Sequence, residues 1–472
     1  MIKNFFVLVL TFLSTALIAN ENLTETIKLE KHYKVENTFS GDLYENTSFH
    51  FIFAKNKNTK EKEILGYLYN GTQVEKLENI SSKKELSIIS FHGTTSHLTV
   101  LFSYKEKKDE FLKRVVYNLS TKKITENESS SIEDMEASFR TKNKSVLIFK
   151  NDDKLFFRSF TGDKKAKESS YTFKDDKDPI KTFFEDNHIS TIKTDEFVAN
   201  GSTSDLKAYL ENDKIIFTKE DEKQNKCSVL ALSLSEETII PQPILNFKNT
   251  NPNKKFKKTV SYYSNGKLFL VSLSKKIGGL KIFDITKNKE LNSIAFDQNL
   301  VSQLKTSTAF DGIEKFLKNA GKNKYNPTVT VNKTDSDKLV IRMDYVDVNY
   351  GYKYNWWWHH HQFFMWQQQI QMQQMQMNMP SGFGPSQPEY YIPIVTKDEK
   401  HYFELIIDIN GKLLNEELPK TMYNEVDKEQ FINTLEKIKS IKHESSCFLK
   451  DSFRYIGYSK QLKSFIFQTN KI

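Results

Sequence analysis

KIFDITKNKEL, residues 281–291, reads as two short strands joined at a polar turn. Apolar and β-branched residues run into Asp284, Thr286, Lys287 and Asn288, and a weaker strand follows. Asp and Asn favour such a joint because their side chains bond the backbone two residues on and tolerate left-handed dihedrals. The same order recurs as YLYNGTQVEKL, VVYNLSTKKIT, FRSFTGDKKAK, LALSLSEETII and LIIDINGKLLN, with turns near residues 70, 118, 162, 235 and 410. Three of the intervals are roughly 45–50 residues, the length of one four-stranded repeat. The interval from 162 to 235 is wider, and that from 287 to 410 holds a helical pattern and a tract unlike the rest of the chain.

Outward from these joints the chain is short strands in polar punctuation. SFHFIFAK (48–55), KEILGYLYNG (62–71), HLTVLFSY (97–104), SVLIFKND (145–152), KLFFRSFTGDK (154–164) and KLFLVSLS (267–274) are runs of β-branched and aromatic residues bounded by Asn, Asp, Gly, Ser and Lys. Helical periodicity is confined to AFDGIEKFLKNA (309–320) and DKEQFINTLEKIKSI (427–441). In the second, Asp427 and Gln430 have capping-box spacing, and Phe431, Leu435 and Ile438 share a face.

At this level the chain resembles the β-propeller superfamily, in which KIFDITKNKEL looks like the last two strands of a blade. The resemblance implies an all-β, β-propeller-like fold of about seven four-stranded blades, six or eight being the alternatives. Two short helices and one long inserted hairpin would decorate it. Radial repetition also covers the edges of so many strands. No tryptophan–aspartate dipeptide or kelch double glycine stands at the expected positions, so the resemblance carries architecture and no functional residue. Closure would pair FRYIGYS and LKSFIFQ with a strand near the mature N-terminus, such as KHYKVEN (31–37). The alternative organisation is two smaller β domains parting near residues 175–185, where KDDKDP reads as a linker.

The first residues, MIKNFFVLVLTFLSTALIAN, place Lys3 before an apolar run and small residues around Ser14, Ala16 and Ala19. That is the order of a secretory signal peptide, and the run is short of the roughly 20 apolar residues that span a bilayer. The expected layout is therefore a signal peptide over 1–19 and one domain over 20–472, secreted or held in the periplasm or cell envelope. No transmembrane segment is expected after signal removal. A net charge of +9 comes almost wholly from lysine, since Arg114, Arg140, Arg158, Arg342 and Arg454 are the only arginines. Nucleic-acid readers rely on arginine for bidentate contacts, so no nucleic-acid partner is expected. Cys227 and Cys447 could pair in an oxidising compartment or stay as buried thiols.

One tract stands apart: NWWWHHHQFFMWQQQIQMQQMQMNMPSGFG, residues 355–384. From Tyr354 through Pro388 there is no charged residue, in a chain that is 27% charged, and all four tryptophans lie here. Strand-like sequence precedes and follows it, so the simplest geometry is a long hairpin within one blade, with a low-complexity insertion at 355–388. Exposed aromatic residues mark interaction surfaces. Trp356, Trp357, Trp358, Phe363, Phe364 and Trp366 are accordingly the candidate binding residues, for a protein or a cell-surface glycan. His359, His360 and His361, with Met372, Met375, Met377 and Met379, are the candidate metal ligands. Soft thioethers and imidazoles suit copper, although adjacent histidines on a strand point to opposite faces.

No catalytic motif stands out, and no catalytic residue is assigned. His92 and His97 in FHGTTSH flank a polar turn, and Asp335 with Asp337 in KTDSDK lacks the glycine and distal glutamate of a calcium loop. The expected function is that of an exported binding or scaffold protein. Low-affinity copper binding by the His/Met tract, or a glycan-acting hydrolase or lyase, are the alternatives.

Overall fold

A computed structural model of the chain describes residues 23–44, 46–185, 188–192, 201–202, 204–249, 255–303, 312–334, 337–347, 390–391, 402–417, 441–449 and 452–471. Among these residues the strands gather into seven sheets of four or five strands, almost all antiparallel and consecutive in the chain, and one two-stranded sheet. Blade 1 holds Tyr33–Asp42, Ser48–Asn56, Lys62–Tyr69 and Val74–Lys76, with Ile80–Ser82 also on its third strand. Blade 2 holds Ser87–Gly93, His97–Glu106, Asp109–Asn118 and Ile124–Ser131; blade 3 holds Met135–Arg140, Lys144–Lys150, Lys154–Thr161 and Lys167–Thr172. Blade 4 runs Leu206–Glu211, Lys214–Asp221, Lys226–Ser233 and Leu245–Lys248, and Ser190–Ile192 lies parallel to the first of these. Blade 5 comprises Lys258–Ser264, Lys267–Leu273, Gly278–Asp284 and Lys289–Ala295. Blade 6 comprises Tyr325–Lys333, Leu339–Asp347, Phe403–Ile407 and Leu413–Leu414. Blade 7 takes Ile441–Leu449, Ser452–Ser459 and Ser464–Lys471 from the end of the chain and Leu23–Ile27 from its beginning. The expectation of an all-β, propeller-like fold with about seven blades therefore holds.

The repeated motif has one structural meaning. Each of its six turns joins the last two strands of a blade, in blades 1 to 6 in order. Asn70 Oδ1 accepts from the backbone N–H of Thr72 and Gln73, at 3.0 and 2.8 Å. Asn118, Asp284 and Asp408 hold their own turns in the same manner. Left-handed dihedrals then reverse the chain at Gly71, Lys122, Gly162, Asn288 and Gly411. Blade 7 has no such turn, because its last two strands lie at opposite ends of the chain. The closing strand corrects the expectation: KHYKVEN enters the first strand of blade 1, and LTETI just before it pairs with the C-terminal strand, Leu23 opposite Thr469.

The chain divides into two compact units. The first contains blades 1, 2 and 7. Alternate residues of a strand face opposite sides, so Phe49 and Phe51 pack toward Phe91 and Phe102 of blade 2. Ile52 packs toward Ile456 and Phe465 of blade 7. The second unit contains blades 3 to 6, with one apolar cluster between blades 3 and 4 and another running through blades 4, 5 and 6. The helix Ile313–Ala320 buries Ile313, Phe316, Leu317 and Ala320 in the latter, as its periodicity predicts. Residues 427–440 of the other expected helix lie outside the described residues. Two short helices, Pro179–Phe183 and Gln298–Gln303, have no periodic signal in the sequence. KDDKDP is not a linker but the start of the first of these, inside the second unit. Asp178 caps it, accepting from Ile180 N at 2.8 Å, and Ile180 and Phe183 are buried. Cys227 and Cys447 are both buried thiols outside any disulfide, which decides between the two readings.

Candidate binding groove in the four-blade unit

The second unit carries an open groove of about 770 Å³ at one end of blades 4, 5 and 6. Its apolar wall includes Phe183 from the short helix, Ile244, Val260 and Pro327. Lys219 fastens the helix to blade 4: its Nζ donates to the Phe183 carbonyl at 2.9 Å, where the helix leaves acceptors unfilled.

Glu220, which lines the groove, belongs to a buried charge pair. Strand alternation puts Lys207, Tyr209, Ile216, Thr218 and Glu220 on one face of blade 4, through the register Lys207 to Thr218 and Tyr209 to Ile216. Lys207 Nζ donates to Glu220 Oε1, and both side chains are almost wholly enclosed. The same oxygen accepts from Ser261 N at 2.5 Å and Ser261 Oγ at 2.7 Å, so the pair staples blade 4 to the first strand of blade 5. Burial pushes the Glu220 carboxyl up to about 7, against the opposing pull of Lys207 and Ser261. Desolvating such ions is costly unless their hydrogen bonds are supplied, as they are here. Next to it the Cys227 thiol donates to Ser261 Oγ at 3.4 Å, and burial pushes it up to about 12, which leaves it a small apolar filler.

The rim is charged and more exposed. Asp205 and Glu222 flank Glu220, and Lys258 Nζ reaches Glu222 at 3.8 Å while donating to Asn326 Oδ1 at 3.3 Å. Burial raises the Glu222 carboxyl, Lys258 opposes the rise, and Asp205 adds to it. Lys226 stands opposite Asp221 across the hairpin.

The roots of the uncharged insertion border this groove. Asn326 on its rim pairs with Val346, and Tyr325 with Asp347, the last described residue before the insertion. Beyond it Tyr390–Tyr391 pairs with Gly201–Ser202, just ahead of Asp205, and the chain then re-enters blade 6 with Phe403 opposite Met343. The strands on either side of the insertion are thus antiparallel neighbours in one blade, the hairpin arrangement expected. The candidate binding residues Trp356, Trp357, Trp358, Phe363, Phe364 and Trp366 lie outside the described residues. So do the candidate metal ligands His359 to His361, Met372, Met375, Met377 and Met379.

The minor candidates are placed by their neighbours. His92 is buried in a blade 2 strand, and His97 begins the next with Nδ1 2.9 Å from Ser96 Oγ. Asp337 pairs with Lys333 at 3.0 Å, and Asp335 lies outside the described residues. Among the described residues no cluster of three His, Cys, Asp or Glu is arranged to hold a metal. Sequence reasoning missed Lys207 and Glu220, which sit in charged surroundings that look solvent-facing. A signal was present: two charged residues continue the period-two face that carries Tyr209, Ile216 and Thr218.

No family model matches the chain, and no curated protein matches it. Several solved structures are similar to it. A Dos1 propeller is 13% identical with a TM-score of 0.28, over 66% of this chain and 80% of that one. The β-propeller domain of the Trilobed protease from Pyrococcus furiosus is 11% identical with a TM-score of 0.30, over 66% and 82%. A member of the duf4221 family from Bacteroides vulgatus is 9% identical with a TM-score of 0.31, over 96% and 100%.

Proposed function

We propose that the chain is an exported binding or scaffold protein of the cell envelope or extracellular space, and that residues 355–388 are its contact segment. One observation carries the reading. A tract without charge, holding every tryptophan of a lysine-rich chain, is inserted between two strands that pair directly with each other. An aromatic, uncharged segment offers contact area at little desolvation cost. Because blade 6 pairs across the insertion's roots, the segment is free to differ in composition from the sheets that carry it. The leader-like first 19 residues support export.

The test is removal of residues 355–388, joined by a short Gly/Ser turn. The expected outcome is a melting temperature within a few degrees of the full chain and loss of retention on the envelope fraction of the source cell. A deletion that unfolds the protein would make the tract part of the core and end the proposal. Undiminished retention would end it as well.

A further inference from the structure

Three Asn–Gly pairs stand in turns among the described residues, and they differ at the two atoms that could react with each other. In such a pair the glycine nitrogen can attack the asparagine Cγ, because glycine has no Cβ to hinder the approach. At Asn265–Gly266 that nitrogen is engaged, donating to Tyr263 Oη at 3.1 Å. At Asn410–Gly411 it donates to the Asp408 carbonyl at 3.0 Å. At Asn70–Gly71 it has no hydrogen-bond partner among the described residues, since the pair lies between the strands Lys62–Tyr69 and Val74–Lys76 and belongs to neither.

The asparagine side chains differ too. Asn70 is exposed, and its Oδ1 accepts from Thr72 N at 3.0 Å, Thr72 Oγ1 at 2.9 Å and Gln73 N at 2.8 Å. These donors polarise the carboxamide and are placed to hold the oxyanion that forms when a nucleophile adds to Cγ. Asn265 has no such support: its Nδ2 donates to Ser264 Oγ at 3.4 Å. Asn118 shares the turn of Asn70, accepting from Ser120 N and Thr121 N at 2.9 Å each. A leucine follows it, however, and Leu119 N donates to the Ser96 carbonyl at 2.8 Å.

We infer that Asn70 is a site of intramolecular deamidation. The Gly71 nitrogen loses its proton to solvent and bonds to Asn70 Cγ. The Cγ–Nδ2 bond breaks, and Nδ2 takes a proton from solvent and leaves as ammonia. The resulting succinimide adds one water and opens to aspartate or isoaspartate at position 70. The aspartate product keeps the turn, since Asp284 and Asp408 accept backbone N–H groups in the equivalent turns of blades 5 and 6. The isoaspartate product does not, because the former side-chain carbonyl becomes part of the main chain. Its longer backbone displaces the Gly71 carbonyl, which accepts from Tyr69 Oη at 3.0 Å. The fourth strand of blade 1 is thereby loosened from the third.

The experiment incubates the purified full chain at mildly alkaline pH and follows Asn70, Asn118, Asn265 and Asn410 by peptide mass spectrometry. The exchange of an amide for an acid reads total conversion, and methyl transfer by an isoaspartyl methyltransferase reads the isoaspartate. In the native chain Asn70 should convert about tenfold faster than the other three. In denaturant Asn70, Asn265 and Asn410 should convert at similar rates, since glycine follows each. Thr72→Val, at an exposed position, removes the hydroxyl donor and keeps the backbone ones. It should slow conversion at Asn70 severalfold with an unchanged melting temperature. Equal native rates at the three Asn–Gly pairs, or an unaltered rate in Thr72→Val, overturn the inference. A preference for Asn70 that survives in denaturant also overturns it, by placing the cause in the flanking sequence. So does conversion at Asn70 in denaturant alone, because the turn would then be protective.

Discussion

His50 shows how much of this chain's polar chemistry is interior. Its Nδ1 lies 2.7 Å from Ser40 Oγ and its Nε2 2.9 Å from Ser48 Oγ, while Ser40 Oγ lies 2.7 Å from Ser445 Oγ in blade 7. Ser48 also accepts from Arg454 Nη1 at 3.1 Å, and that guanidinium lies over the Tyr69 ring. Burial, and then the Arg454 charge, hold the imidazole near 3, well below its ordinary 6.5. Between these values the unfolded chain binds a proton that the folded chain refuses, so acid favours unfolding. The contribution is fully present above pH 6.5 and is lost as pH falls toward 3. Urea midpoints of the first unit should drop across that window. His50→Gln should flatten the dependence while costing about 1–3 kcal/mol at neutral pH for imperfectly satisfied serines; an unaltered slope would show that His50 is not the responsible group. The arginines teach a related lesson. Arg114, Arg140, Arg342 and Arg454 are buried between or within sheets, where a planar group with five donors is easier to satisfy than an ammonium. Surface charge was left to lysine. Scarcity of arginine was visible in the sequence; that four of the five are interior was not.

At the scale of elements the strands and their last turns were legible, because both depend on neighbours in the chain. Alternation, β-branching and an Asn or Asp one to four residues ahead of a left-handed position are local facts. The helix Pro179–Phe183 was not legible. Five residues carry no periodicity, and its stability comes from Asp178, whose carboxylate also accepts from Tyr171 at 2.8 Å and Lys174 N at 2.9 Å. The closing strand was misassigned by one strand, since LTETI and KHYKVEN are equally short and polar and only pairing tells them apart. That strand makes a prediction of its own. A chain beginning at Lys28 exposes the edge of Ser464–Lys471 and loses the packing of Ile27. It should be less stable by about 2–4 kcal/mol, from five residues of pairing and one partly buried side chain. An unshifted denaturation midpoint would show that Leu23–Ile27 contributes nothing to blade 7.

At the scale of the molecule, the described strands fall into two compact units of three and four blades. Each unit is sealed by its own apolar clusters, and each holds one cysteine away from solvent. Thiol titration of the native protein should therefore be slow, and both thiols should react at once in denaturant. Electrophoretic mobility should be the same with and without reductant; a shift on reduction would reveal a disulfide. The groove belongs to this scale too. Asp205, Glu220, Glu222, Val260 and Asn326 come from three blades, and no window of sequence contains them together.

By itself the sequence determined the strand repeat, its turns and the hairpin insertion within a blade. Each follows from periodicity and turn chemistry acting over a few residues. Only the tertiary structure decided which strand completes blade 7, that the two cysteines stay apart, and that Lys207 and Glu220 form a buried ion pair beside a groove. Those outcomes depend on pairings between residues distant in the chain, where burial rather than local preference sets the free energy.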